Sequence, residues 1–457
     1  MTNSLEDTPI AIADQQLPIA IATARRRHFS LSWRWIGKGL GALADQGMVS
    51  GSTFVLNLFL ARWLGAEQYG AFAIAFSIFL FVSSFHNAML LEPMSVFGPG
   101  PYRNSLPEYL GQLVRLHFVV SGVLTGLMCV AAVILEGLDP RKLLAPGFWG
   151  VSISIPFILF FWLWRRAAYL ESKPHVAIRG AITYAASALT LMCVLEELHW
   201  LSSFSAFAVL AVAGVAASLI LIWYIRPQFR SLGHSFSSIL KQHWKYGRWV
   251  AVSAFFFWLN GNAYYVVAGS MLGMQNVAAL RAIQNFVLPV IQFLVATSLL
   301  ILPLASSWFN NQNRAIFRRN MGWITLGFTA GATIYSIAIV VFGHPLIGLI
   351  YRGRYTEFSY LLPWLALGVL LTAAAQGPMI ALQAMQSPSE IFVGYVVGGS
   401  TILPGILLTR YYGLLGAALG LALSSLAFLL YVGYRFNALL SKAPAVMNDS
   451  LSESGLL

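Results

Sequence analysis

The sequence predicts an all-α integral membrane protein of about twelve transmembrane helices, arranged as two pseudo-symmetric lobes of six. Three observations carry this reading. Of 457 residues, 58% are hydrophobic and 10% charged, with a mean hydropathy of +0.72, far from the balance of soluble domains. The apolar residues fall in runs of roughly 18–25 between short polar breaks, the length a helix needs to cross ~30 Å of hydrocarbon. A turn in the first half of the chain is also echoed at the corresponding place in the second. Helices are required because lipid offers the backbone no hydrogen bonds, and the sustained period-two alternation of a β-barrel is missing.

In chain order, residues 1–40 form a tail. Its apolar stretch Leu17–Ala24 is too short for a signal-peptide core and precedes Arg25, Arg26 and Arg27 instead of following them, so the tail is expected to stay, disordered, in the cytoplasm. The first lobe, 41–225, has spans near 42–63, 70–92, 116–135, 147–164, 177–195 and 204–225. A polar, basic linker, 226–246, carries Leu240 and Trp244 and suits a cytoplasmic membrane surface. The second lobe, 247–435, has spans near 247–272, 278–303, 321–343, 360–384, 390–409 and 413–434, and a second cytoplasmic tail, 436–457, ends the chain.

Charge sets the orientation. With both termini inside, the outer loops hold only Arg62, Arg141, Lys142, Arg281, Arg352, Arg354 and Arg410, and every other Lys and Arg lies on the inner side, as the positive-inside rule requires. The formal charge of +12 is therefore a topology signal at helix ends. It does not mark a nucleic-acid surface, and no nucleic-acid partner is expected.

The echo lies between Ala61-Arg62-Trp63-Leu64-Gly65-Ala66-Glu67-Gln68-Tyr69-Gly70-Ala71 and Gly269-Ser270-Met271-Leu272-Gly273-Met274-Gln275-Asn276-Val277-Ala278-Ala279. Each is a helix, a Leu-Gly stop, a few polar residues and a small residue restarting a helix. Each falls at the first hairpin of a six-span half, which places the halves the same way up about an axis along the membrane normal.

No catalytic constellation, phosphate loop or metal-ligand spacing is present, so no enzyme activity, metal or cofactor is expected. Cys129 and Cys193 lie inside apolar runs and read as small buried hydrophobes. The chemistry rests on polar residues inside spans, which are costly in lipid and normally face protein or water. Asp45 opens the first span; Asn87, beside His86, lies in the second; Asn260 and Asn262 lie in the seventh; Gln376 lies in the tenth. Arg281, Gln284 and Asn285 are three and four apart in the eighth span and share one helix face. Two readings of Arg281 stand open: a cavity cation for an anionic head group, or a side chain snorkelling to the interface or paired within the bundle. Asp45 is a candidate for binding a coupling proton or sodium ion, with pairing to a basic neighbour as the other reading. Asn260 and Asn262, on either side of Gly261, either bond between helices or line a cavity. Prolines at 156, 289, 303, 363, 378 and 404 permit kinks, and Gly416, Gly420 and Ser424 give the last span a small-residue packing stripe.

Several segments resemble, in order along the chain, the polysaccharide-biosynthesis (Wzx-like) flippases of the multidrug, oligosaccharidyl-lipid and polysaccharide (MOP) exporter superfamily. They are Leu58 to Ala75, Glu92-Pro93-Met94, Leu280-Arg281-Ala282-x-Gln284-Asn285 with Pro289, Tyr351-Arg352-Gly353-Arg354-Tyr355, and the run opening at Gly413. The resemblance spans residues 35–440. It implies two lobes of a MATE-like fold around a central cavity open alternately to either side. It further implies the movement of an undecaprenyl-pyrophosphate-linked oligosaccharide to the outer leaflet of a bacterial inner membrane, beside a polysaccharide polymerase and glycosyltransferases. Some members carry several cavity cations; here Arg281 is the clearest. Two other functions compete: a cation-coupled drug or metabolite exporter of the same architecture, leaning on Asp45, and a non-transporting scaffold of a glycan-synthesis complex.

Overall fold

The computed structural model describes residues 33–138, 141–227, 236–311 and 314–442, which form helices and turns with no strand among them. The first lobe comprises α1 (Trp33–Trp63), α2 (Ala66–His86) with a π-helical turn (Asn87–Leu91) and α3 (Glu92–Phe97), α4 (Leu106–Leu138), α5 (Leu144–Leu170), α6 (Pro174–Glu197) and α7 (Ser203–Ile225). The second comprises α8 (Phe236–Gly261), α9 (Ala263–Leu272), α10 (Met274–Gln284), α11 (Leu288–Asn311), α12 (Arg314–Tyr351), α13 (Leu362–Ala384), α14 (Pro388–Ser400) and α15 (Ile402–Lys442). Of the expected tails, 33–40 and 436–442 are helical, and the remainder lies outside the described residues.

Among the described residues, eight helical stretches are long and apolar enough to cross a membrane, and two bent pairs raise the number to ten. The 31-residue α1, more polar than these, adds an eleventh. The 54-residue stretch Pro388–Ser441 supplies two crossings, because α15 folds back at Gly413 (φ 57°, ψ −135°). Gly416 lies against the Leu408 backbone, a contact that eight residues of straight helix would hold ~12 Å apart. Only glycine adopts that backbone without a steric penalty. The dozen crossings are thus present, and their even number puts the first and last described residues on one face, the terminal face; the opposite side is the hairpin face.

Two expected continuous spans are broken. The seventh bends by 47° between α8 and α9, and the eighth by 52° between α10 and α11. The first break falls at Gly261 and Asn262, where helix propensity is weakest. The second falls at 285–287, just before Pro289, whose ring cannot coexist with a helical carbonyl four residues earlier. Pro156 instead stays inside α5. It has no N–H for the Ser152 carbonyl, and the Thr125 hydroxyl of α4 donates to that oxygen from 3.2 Å, a substitution that bilayer helices need.

The stretch 226–246 is only partly a linker. α8 begins at Phe236 and runs unbroken into the seventh span, with Leu240 and Trp244 exposed while Ile239 and His243 are buried. Amphipathic periodicity joins these turns to the bundle. Cys193 is exposed and Cys129 half-buried, a departure from the expected interior positions. Both lie in helices with apolar outer surfaces, where a thiol serves as a small hydrophobe.

The lobes meet along α2. From the hairpin face inward, Gly70 lies against the Met274 backbone, the Ser77 hydroxyl donates to the Asn262 carbonyl at 2.8 Å, and Trp258 Nε1 donates to the Ser77 carbonyl at 2.9 Å. Further on, Gly247 lies where a β-carbon would come within 2.5 Å of the Ala88 carbonyl oxygen. The two echoed turns therefore touch each other through Gly70 and Met274, although Gly273 has φ 87° and Gly65 is extended at ψ 149°. On the other flank, the Ser50 hydroxyl of α1 donates to Gln292 Oε1 of α11 at 3.0 Å. There Gly47 and Gly51 have open space where a β-carbon would stand, and Gln292, Phe293 and Val295 are exposed.

Candidate functional site

Arg281 occupies the last turn of α10, just before the 52° bend, where α1, α2 and α9 converge on it. It is 6% exposed, so the snorkelling reading does not describe it. Nε and Nη2 donate to Asn57 Oδ1 of α1 at 3.3 and 3.2 Å, and Nη1 donates to Tyr265 Oη of α9 at 2.9 Å. The guanidinium carbon lies 5.4 Å from the centre of the Phe76 ring and 5.5 Å from that of Tyr265. Every one of these partners is neutral, and none of the described ion pairs involves Arg281. A cation removed from water without an anion is costly by several kcal/mol, partly offset by ring faces and oriented dipoles.

The shared helix face read from the spacing is present. Tyr265 Oη donates to Gln284 Oε1, so Gln284 and Arg281 grip the same phenol. Asn285 is fully buried and its Nδ2 donates to Tyr69 Oη of α2 at 3.2 Å and to Tyr351 Oη of α12 at 3.3 Å. Its Oδ1 has no hydrogen-bond partner. Three tyrosines, two asparagines, one glutamine and one arginine thus form a polar cluster between the lobes. Arg354 adds a link nearby, donating to the Leu64 carbonyl at 2.9 Å.

The other candidates lie in separate settings. Gln376 Nε2 of α13 donates to Ser298 Oγ of α11 at 2.6 Å, a buried contact within the second lobe. Asn260 Nδ2 donates to the Phe256 and Tyr395 carbonyls at 2.7 and 2.9 Å and so bonds between helices. Asn262 precedes the first turn of α9 without a side-chain cap and presents its backbone carbonyl to Ser77. Asn87 opens the π-helical turn and its Nδ2 donates to Glu92 Oε1 at 3.3 Å.

Asp45 is fully buried and heavily engaged. Arg165 Nε donates to both carboxylate oxygens at 3.0 and 2.8 Å, Arg165 Nη2 stands 2.7 Å from Oδ2, and Tyr169 donates to Oδ2 as well. The second lobe repeats the motif: Glu390 of α14 receives Arg435 Nε at 2.7 Å and Tyr431 Oη at 2.8 Å. In each lobe an arginine and a tyrosine four residues apart hold one carboxylate near the terminal face. Sequence reasoning named Asp45 but neither partner set, since the pairing joins residues 120 apart.

Two lobes of six crossings, joined along one helix and holding between them a buried cation with no counter-anion among the described residues, define a multi-span helical membrane protein. No protein-family model and no curated protein sequence matches the chain. Its structure is similar to an inward-facing multidrug resistance MATE family transporter of the MOP superfamily, with TM-score 0.74 and 14% identity over 89% of this chain and 96% of that one. It is similar also to the lipid II flippase MurJ in an inward closed conformation, with TM-score 0.67 and 13% identity over 88% and 87% of the two chains. An outward-facing MATE transporter of the MOP superfamily gives TM-score 0.63 at 13% identity over 89% and 96%. The fold is that of MOP-superfamily transporters.

Proposed function

We propose that this protein is a flippase that moves an undecaprenyl-pyrophosphate-linked oligosaccharide repeat unit from the inner to the outer leaflet of a bacterial cytoplasmic membrane. It works by alternating access, with both termini cytoplasmic. The single observation that carries the reading is Arg281, a buried guanidinium between two lobes with neutral partners only. A pyrophosphate is the complementary group: it supplies the missing charge and accepts the forked donors of a guanidinium. Asn57 and Tyr265 hold the fork until the head group displaces them, and the exposed flank between α1 and α11 leaves the lipid tail in oil. The resemblance to a lipid II flippase supports a lipid-linked cargo. The competing exporter reading leans on Asp45 as a cation site, and Arg165 and Tyr169 already occupy that carboxylate.

The test uses the protein in vesicles or in cells carrying labelled lipid-linked repeat units. Arg281→Ala lowers translocation roughly ten- to hundredfold, the equivalent of about 1.5–3 kcal/mol for a hydrogen bond to a charged group. Arg281→Lys, which keeps charge and loses the fork, falls between. Unchanged leaflet distribution on deletion of the protein, together with new drug sensitivity, gives the exporter reading; normal glycan assembly in Arg281→Ala cells, with no translocation by the protein in vesicles, gives the scaffold.

A further inference from the structure

The first lobe holds a second titratable cluster that neither Arg281 nor the ion pairs use. His86, the last residue of α2, and His117 of α4 are both 0% exposed, with His86 Nε2 and His117 Nδ1 2.9 Å apart. His117 Nε2 lies 3.0 Å from the Pro156 carbonyl oxygen of α5. A carbonyl only accepts, so His117 Nε2 carries the hydrogen, and in a neutral ring its Nδ1 is then an acceptor. That acceptor must receive the hydrogen on His86 Nε2. His86 Nδ1 is left as a bare lone pair, and it has no partner although it is buried. The chain of bonds admits one neutral arrangement and one vacant position for a further proton.

We propose that the His86–His117 pair is a proton-binding site of the transport cycle, taking up one proton at His86 Nδ1. The proposal rests on the transport reading above and names the ion that reading leaves open. Histidine is the side chain suited to this near neutral pH, and its uptake is local: His117 keeps its bond to Pro156, and the new N–H appears on His86 alone.

The surroundings tie the proton to lobe movement. Of the ionisable groups on the packed elements, Glu92 receives Asn87, Tyr109 and His243 bond to each other, Arg165 and Tyr169 hold Asp45, Arg115 is exposed, and Glu108 and Arg166 are half-buried without a hydrogen bond to either histidine. On α8, Lys245 and Arg248 are exposed too, and Arg281 holds Asn57 and Tyr265. No acid is hydrogen-bonded to the pair among the described residues, while Phe118 and Phe160 pack on His117 at 5.1 and 5.0 Å between ring centres. A charged pair in this dry pocket would be uncompensated, so the proton favours a lobe arrangement that wets it.

His86 is joined directly to the π-helical turn, an irregularity typical of functional positions. From that turn the Met89 carbonyl accepts His243 Nδ1 of the other lobe at 2.7 Å, and the Ala88 carbonyl faces Gly247. Charge at His86 therefore acts on the segment that holds the lobes together near the terminal face.

The experiment takes the full chain, 15N-labelled at histidine, in liposomes without substrate, through buffers from mildly alkaline to mildly acidic, by solid-state NMR. The coupling across the hydrogen bond between His86 Nε2 and His117 Nδ1 identifies the pair without mutation. The expected result is a single step in which His86 Nδ1 gains its proton while His117 Nε2 stays protonated. The step and the coupling vanish in His86→Gln or, should that variant fail to fold, in His117→Gln. Spin labels at the exposed Ile182 of α6 and Ile334 of α12 then show an acid-induced change in lobe distance that the variant lacks. A His86 Nδ1 that stays unprotonated in acid overturns the site, and a lobe distance that responds to acid equally in the variant overturns the coupling. Because no lipid-linked glycan is present, neither result depends on the identity of the cargo.

Discussion

At the scale of single residues, the lobes treat their charges in two ways. Asp45 with Arg165 and Glu390 with Arg435 are closed pairs, each completed by a tyrosine. Breaking the Asp45–Arg165 pair leaves the fully buried Asp45 carboxylate uncompensated, at a cost of about 3–5 kcal/mol, whereas removing both partners is close to neutral; the part-exposed Glu390–Arg435 pair is worth less. Arg165→Ala therefore destabilises the protein strongly in thermal unfolding from detergent, and Asp45→Asn with Arg165→Gln recovers most of the loss. If Asp45 instead carried a transported cation, the double variant would be as stable but inactive in transport. Arg281 differs because its cluster is left open, with phenols and an amide where a carboxylate would be expected. The spacing of Arg281, Gln284 and Asn285 made their common face legible. Asn57, Tyr69, Tyr265 and Tyr351 were not legible as partners: they come from four other segments, and tyrosine inside an apolar run carries no spacing signal. The histidine pair is hidden for the same reason, His86 and His117 lying on different helices.

At the scale of elements, run length alone recovered the spans, because the hydrocarbon thickness dictates it. The breaks were half legible. Gly261 and Pro289 mark weak points, yet whether a weak point bends or merely kinks depends on what packs against it. Pro156 stays helical because Thr125 completes the freed carbonyl, and the π-helical turn at Asn87–Leu91 leaves no compositional mark at all. Gly413 is the clearest case of one residue deciding topology. With φ 57° and ψ −135°, it occupies backbone space that costs other residues roughly 1–3 kcal/mol. Gly413→Ala is expected to lower stability by that amount, read as a lower midpoint of unfolding, whereas the equally small change Gly433→Ala, in open helical surroundings, does not lower the midpoint and, by helix propensity, raises it slightly.

At the scale of the whole molecule, the duplication seen in the turns at Gly65 and Gly273 becomes an interface. The two halves repeat their first hairpins and also press them together, Gly70 on Met274 and Gly269 within 2.5 Å of the Ile74 side chain for a β-carbon placed there. The flanks are unequal: α2 adjoins the second lobe from one face to the other, while α1 and α11 meet through Ser50 and Gln292 with exposed neighbours. A Ser50→Cys, Gln292→Cys pair, in a background with Cys129 and Cys193 replaced by serine, is expected to cross-link under mild oxidation and arrest transport, with recovery on reduction. Full transport in the cross-linked protein would place the moving gap elsewhere.

The backbone contacts along α2 also limit what kind of motion is available. Glycines at 70 and 247 bring main chains so near that the halves cannot draw apart there without forfeiting dispersion contacts over the full thickness of the bilayer. For the transport cycle proposed above, these contacts favour rotation about that line, like a door on its long edge. In the proposed transport cycle a small angular change beside α2 would become a large displacement at α1 and α11, so leverage would set the width of the passage, and the residues governing its timing would sit where almost nothing moves.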